Sequence, residues 1–438
     1  MRNRVLIILG AILLLSAFII PTAGTTLAGD KITITIMGKS NEINEFYTDD
    51  FKKAFPNIQL QVTETDMTRY FAMNAAGDPP DLVRVYGSSV PMLAARKLLL
   101  DLTPYFKTSK YLKLSDLSPV ADLYKFDGKR QGKGAIYGMH KDWSPDMTIF
   151  YNKKMLAAAG VAFPSATKPM TYAEFGEMMK KLTKKEGDRV IQYGGSSFPI
   201  GDGWAEQYLK FMCASNGVSI YSKDFKKINL VKNAEVKKAL GWYIDLAKAH
   251  AIPNPLDPAS DWDGALFTAG KIAIQQYGYW FGAMAESDLT KGAVGMAPAP
   301  IWGKKRLSPC ITATGYVISR KTKYPKEAWQ VFEFYMGREP AISRAKSGWG
   351  VPTLKSLYRL MPQGTPYEKA NYEVVQGELK YMTVLPNNPY LDRNAVDSAF
   401  NKHWEAVIKG TETLDAALKA IEDEVNRAIA EGVMRLGE

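Results

Sequence analysis

Three histidines (His140, His250 and His403) and two cysteines (Cys213 and Cys310) are all the imidazole and thiol chemistry that this 438-residue chain carries. None of the histidines belongs to a His-Glu-x-x-His pair or a Cys/His cluster, so no zinc site is expected. There is no Gly-x-Ser-x-Gly elbow to expose a serine nucleophile. Gly132-Lys133-Gly134 lacks the Gly-Lys-Ser/Thr ending of a phosphate loop. One hydrolytic chemistry leaves no motif, because the two carboxylates of a glycosidase have no fixed spacing. Asp142, Asp202 and Asp263 are the candidates for it, and each stands within two residues of a tryptophan.

A carboxylate beside an indole also suits a site that binds without reacting. A sugar presents hydroxyls at its rim and C–H faces above and below its ring, so it calls for flat aromatics and for carboxylates, amides and hydroxyls. A hydrogen bond to a charged group contributes roughly 1.5–3 kcal/mol, and burial of apolar sugar face about 25 cal/mol per Å². Micromolar binding takes about 8 kcal/mol, so several contacts must converge. The chain has the rings for this, with nine Trp and 23 Tyr, although most of them are needed in cores.

The elements that position such groups can be read from periodicity. Ile32, Ile34 and Ile36 alternate as a strand, and Ile43, Phe46, Tyr47, Phe51 and Phe55 recur at helical spacing up to Pro56. Ile58, Leu60 and Val62 give a second strand, Thr68 to Ala76 a second helix, and Asp81 to Val85 a third strand after the loop Gly77-Asp78-Pro79-Pro80. The alternation predicts an α/β fold with a largely parallel sheet. In such sheets ligands sit in the loops that follow the strands. Those loops supply Lys39, Ser40 and Asn41, and Tyr86 and Ser88 around Gly87. Tyr86 reads equally as a packing residue.

The second half is mainly helical. Thr171 and Glu174 form a capping box for a helix to about Leu182. Asn233 caps another to about Ala249, Pro325 and Gly337 bracket a third, and Leu414 to Ile429 carries the stripe of a C-terminal helix. Short strands are expected at Ile272 to Gln276 and at Gly315 to Ile318. Asp202 precedes a helix and reads either as its N-cap or as a ligand contact, with Trp204 as a ring platform. Trp262-Asp263 is expected to pack the start of a helix.

Arg2 and Arg4 precede the uncharged run Val5 to Ile20, which Pro21 ends, and Thr26-Leu27-Ala28 supplies small residues for cleavage. Residues 1–28 read as a cleavable signal peptide, which places the mature chain in the periplasm. The run is short for a spanning helix, and no cysteine follows it to take a lipid. The net charge of +11 falls to +9 without Arg2 and Arg4. Lysines and arginines are scattered, with no block that suggests nucleic acid. In an oxidising compartment Cys213 and Cys310 either pair or stay as buried thiols.

Five segments, in order, resemble the family of extracellular solute-binding proteins (family 1) that includes maltose-binding protein and other sugar receptors. They are Gly77-Asp78-Pro79-Pro80-Asp81-Leu82-Val83; Tyr137-Gly138-Met139 with Ile149 to Met155; Gly270-Lys271-Ile272-Ala273-Ile274 with Gly278-Tyr279-Trp280; Pro325 to Trp329; and Gly410 to Leu418. Two departures stand out: Thr312-Ala313-Thr314-Gly315 replaces the usual small-Gly pair, and the family's common lipobox is missing.

The resemblance implies a two-lobed, type II periplasmic-binding-protein fold with ligand in the cleft. One lobe would take residues 30–143 plus 311–350 and the other 144–310 plus 351–438. Three crossings near Trp143, Cys310 and Gly350 would form the hinge. Asp142 and Trp143, Tyr279 and Trp280, and Trp349 and Gly350 then become candidate ligand contacts, with hinge packing as the alternative for Trp143. The implied function is the carbohydrate-binding subunit of an ABC importer, acting as a monomer with membrane permease subunits as partners and with no cofactor, metal or catalytic residue. A secreted carbohydrate-active enzyme is one alternative. The same fold taking an anionic solute such as a sugar acid, held by Lys39 and Lys141, is the other.

Overall fold

The computed structural model describes residues 31–198, 200 and 203–437, so the expected signal peptide lies outside the described residues. The three early strands form as the alternation predicts. Ile32–Gly38 lies between Ile58–Glu64 and Leu82–Tyr86, parallel to both. Thr314–Ile318 then adds antiparallel to Leu82–Tyr86, and Gly138–His140 adds antiparallel to Thr314–Ile318. The sheet is therefore mixed, because the late strand re-enters from the opposite end. Gly315 has to be glycine there, since a Cβ would sit 2.0 Å from the Met139 carbonyl oxygen.

Side-chain alternation gives this sheet two buried faces. Ile34, Ile36, Leu82, Tyr316 and Ile318 pack on one side with Phe46, Phe51 and Phe332. Val83, Val85 and Val317 pack on the other with Tyr70, Leu93 and Tyr124. Phe46 stacks flat on Tyr335, with centroids 3.6 Å apart. The single helix expected over 43–55 is two, Ile43–Phe46 and Asp49–Ala54. Thr48 starts the second by accepting a hydrogen bond from the Phe51 N–H at 3.2 Å, so a local cap overrides the apolar period.

The second lobe is built on a smaller sheet. Thr148–Asn152 is its central strand, with Ile274–Tyr277 and Val294–Ala297 antiparallel on either side. All five residues of the central strand are buried. Helix Pro366–Leu379 packs on Val294–Ala297, and helices Tyr172–Leu182, Ala205–Ser215, Ala234–Lys248, Arg393–Lys409 and Leu414–Arg435 pack on one another in the same core. The Thr171–Glu174 capping box forms, and Asn233 caps its helix through the N–H groups of Glu235 and Val236. The helix expected after Asp202 starts at Ala205 with Trp204 at its cap position.

The two bodies meet where three stretches of chain lie side by side. Asp142–Trp143 pairs antiparallel with Val351–Pro352, and the Asp146 N–H donates to the Pro309 carbonyl at 2.9 Å. Cys213 and Cys310 are both buried free thiols. Among the described residues no helix is long and apolar enough to cross a membrane.

Candidate functional site

The sheet edge of the first lobe and the strand ends of the second enclose a cleft of about 270 Å³. Six of the sequence candidates line it: Lys39, Tyr86, Asp142, Trp204, Trp280 and Trp349. Its walls are rings in two groups. Tyr86 from the first lobe meets Trp204 from the second edge to face, with centroids 5.1 Å apart at 81°. The Arg393 guanidinium lies 4.1 Å from the Trp204 centroid, donates to the Gly203 carbonyl at 2.7 Å and pairs with Asp397 at 2.6 Å. On the other side Trp280 lies 5.3 Å from Tyr277 and 6.2 Å from Trp349, and Tyr277 continues to Trp262 and Phe198.

The floor is charged. Glu42, buried on the first lobe, accepts from Arg84 Nε at 3.3 Å and from the Tyr316 hydroxyl, and lies 3.5 Å from Lys141 Nζ. Burial works to raise the Glu42 carboxyl, but Lys141 and Arg84 outweigh it and hold the group below the usual range. Lys141 also pairs with Asp142 at 3.2 Å. Gly38 makes room for this network, since a Cβ there would sit 2.6 Å from the Tyr316 oxygen.

Asp146 ties two of the connecting stretches together. Its Oδ2 accepts from the N–H of Ile311 at 2.7 Å and of Thr312 at 3.0 Å, and the Thr312 hydroxyl adds a third donor at 3.1 Å. Burial nevertheless pushes its carboxyl up to about 7 from 3.8, with the Ile311 and Thr312 donors pulling the other way. The native state thus holds a proton between these values that the unfolded chain releases. Its contribution to stability is present below pH 3.8 and lost as pH rises through 7. The neutral amide of Asp146→Asn has no such dependence. The stability advantage of the natural protein over this variant is expected to shrink by ~1.4 kcal/mol per pH unit across that window. Paired urea titrations at several pH values measure it, and a gap constant with pH contradicts it.

Gly278 lets the ring walls close on the floor. A Cβ there would lie 2.6 Å from both Asp146 Oδ1 and Ser144 Cβ, and 2.8 Å from Trp280 Cδ1. Gly278→Ala is expected to cost about 1–3 kcal/mol of stability through overpacking and to displace Trp280, whose N–H donates to Ser144 Oγ at 3.3 Å. Thermal melting and the Trp fluorescence of the folded variant test this, and unchanged values for both would refute it.

The remaining sequence candidates lie elsewhere. Trp143 is 2% exposed and turns inward, donating to the Pro352 carbonyl at 3.3 Å, so it packs the join between lobes. Tyr279 is 3% exposed and lines a separate cavity with Tyr367 and Asn371, because the turn at 279–283 points successive side chains apart. Gly350 backs Asp142, where a Cβ would meet the Asp142 Cβ at 2.8 Å, and does not line the cleft. Ser88 is buried and does not line the cleft either. Ser40 and Asn41 are exposed in a turn outside it, where the Ser40 N–H donates to Glu64 at 2.9 Å. Asp202 lies outside the described residues.

Of the carboxylates considered for glycoside hydrolysis, Asp263 is buried and receives the N–H groups of Ser197 and Phe198, which makes it a structural anchor. Trp262 caps the helix Asp263–Thr268 as expected, yet it is 42% exposed and its ring reaches the cleft. Sequence reasoning missed Arg84, Asp146, Phe198, Tyr277, Gly278, Thr312 and Thr314. Three had a visible signal: Arg84 interrupts an apolar strand, and Tyr277-Gly278 directly precedes Tyr279-Trp280.

Residues 38–342 match the family described as bacterial extracellular solute-binding protein. Among solved structures, the chain resembles the ABC substrate-binding protein Lmo0181 from Listeria monocytogenes in complex with cycloalternan. That match has 25% identity and a TM-score of 0.77, and it covers 92% of this chain and 100% of that one. The sugar-binding protein MalE from Xanthomonas citri is 21% identical with a TM-score of 0.69, over 91% and 98% of the two chains. The maltose/maltodextrin-binding domain MalE from Bdellovibrio bacteriovorus, bound to maltotriose, is 18% identical with a TM-score of 0.71, over 91% and 100%. At these last two identities the likeness is one of fold.

Proposed function

Since the chain belongs to the bacterial extracellular solute-binding protein family, we propose that it is the binding subunit of an ABC importer and captures a carbohydrate between its lobes. The observation that carries this reading is the cleft itself, in which Tyr86 and Trp204 on one side and Trp280 and Trp349 on the other stand over a charged floor. Such rings cover the C–H faces of a sugar while the floor meets its hydroxyls. The carbohydrate ligands of the similar Listeria and Bdellovibrio proteins support it.

In this reading residues 1–28 direct the chain to the periplasm, where it works as a monomer that hydrolyses nothing and hands its ligand to a membrane permease. The ligand contacts both lobes only when they are closed, and so favours closure. The division into 30–143 plus 311–350 and 144–310 plus 351–438 is part of the same proposal. One set of contacts supports a later third crossing: the Ser118 N–H donates to Thr353 at 2.8 Å and Leu354 joins the first lobe's core.

A thermal-shift screen of the mature protein against a panel of mono- and oligosaccharides tests the reading. A binder at about 100 times its Kd stabilises the fold by about 2.7 kcal/mol and should reduce the radius of gyration in small-angle scattering. A panel that shifts neither quantity sinks the proposal.

A further inference from the structure

Lys39, Arg84 and Lys141 reach the cleft from three strands of the first sheet. Lys39 follows Ile32–Gly38, Arg84 lies in the adjacent strand, and the Lys141 N–H donates to the Thr314 carbonyl at 2.8 Å. Of the acids nearby, Asp142 keeps a carboxylate oxygen for a ligand, and the others have little left to offer. Glu42 is buried, with one oxygen between Arg84 and Lys141 and the other on the Tyr316 hydroxyl. Asp142 lies against Lys141, Asp146 is filled by Ile311 and Thr312, and Glu64 accepts from Ser40 outside the cleft. Among the described residues no acid lies within ion-pair distance of Lys39, which is exposed.

The rest of the polar lining is indole N–H and hydroxyl, including Thr312 and Thr314. Charged donors therefore outnumber free charged acceptors, of which Asp142 is the one in the lining. A neutral sugar's hydroxyls both donate and accept, whereas an oxyanion only accepts and also brings the charge that the surplus cation calls for. The net charge of +9 without Arg2 and Arg4 acts in the same direction by drawing anions to the protein.

We propose that the ligand is an acidic saccharide, one whose ring carries a carboxylate or sulfate received by Lys39 above the Arg84–Lys141 floor. The inference rests on the carbohydrate reading and narrows it to a substrate class. The aromatic walls hold the ring, and Lys39 is the cation left to neutralise the added group.

Calorimetry on the mature protein with matched uronate, sulfated and neutral oligosaccharides tests it. At least one uronate or sulfated member is expected to bind about tenfold or more tightly than its neutral counterpart. That preference should shrink as salt rises from about 20 to about 300 mM, and the preferred member tells carboxylate from sulfate. Lys39→Gln should erase most of the preference while leaving the melting temperature in place, since Lys39 is exposed. Neutral members that bind as tightly as charged ones, or a preference untouched in Lys39→Gln, overturn the inference and leave the carbohydrate reading standing. Binding of no member at all overturns both.

Discussion

Trp280→Ala weakens ligand binding by roughly 10- to 150-fold, as the loss of about 1.5–3 kcal/mol of buried ring surface requires. The indole is half-buried in the free protein and flanked by Tyr277 and Trp349, while the backbone N–H of Trp280 donates to Ser144. Truncation thus removes a ligand surface rather than a core residue, and the melting temperature without ligand should move little. Titration calorimetry with the tightest binder from the screen measures the change. Trp143→Ala is the contrasting case: at 2% exposed, it should lower stability by about 3–5 kcal/mol. If Trp280→Ala binds as tightly as the natural protein, the ring wall has been misassigned.

The second large effect falls on Glu42→Gln. The amide keeps the volume and an acceptor for Tyr316, but Arg84 and Lys141 lose the anion between them and only Asp142 remains. Removing one partner from a buried charge cluster costs about 3–5 kcal/mol. With about 2.1 cal/mol/K of unfolding entropy per residue, the melting temperature should fall by about 3–6 °C. The same substitution frees Arg84 and Lys141 to move, so ligand affinity should change with it. A variant that melts with the natural protein would show that the cluster is dispensable for stability.

The parts of the fold legible in the sequence were those fixed by neighbours a few residues apart. The alternating strand at Ile32, the Thr171–Glu174 capping box and the Asn233 cap all depend on local hydrogen bonds and side-chain period. The cleft residues found in advance either stood at strand ends, as Lys39 and Tyr86 do, or came from the family resemblance, Trp280 in a matching segment and Trp349 at an implied crossing. What escaped depends on distant chain. Asp146 matters because Ile311 and Thr312 come to it, and Arg84 because Glu42 and Lys141 do. Neither partnership has a period or a spacing. Tyr279 failed for the opposite reason: it shares a segment with Trp280, but the turn over 279–283 sends the two side chains to different cavities.

The two sulfurs have a practical use. A thiol reacts as its thiolate, and burial pushes Cys213 up to about 12 and Cys310 well above its ordinary value. The natural chain is thus nearly blank to maleimide dyes at neutral pH. A pair of engineered cysteines on the exposed rim, one in each body, would take donor and acceptor fluorophores without background, and their energy transfer would record each capture event in real time.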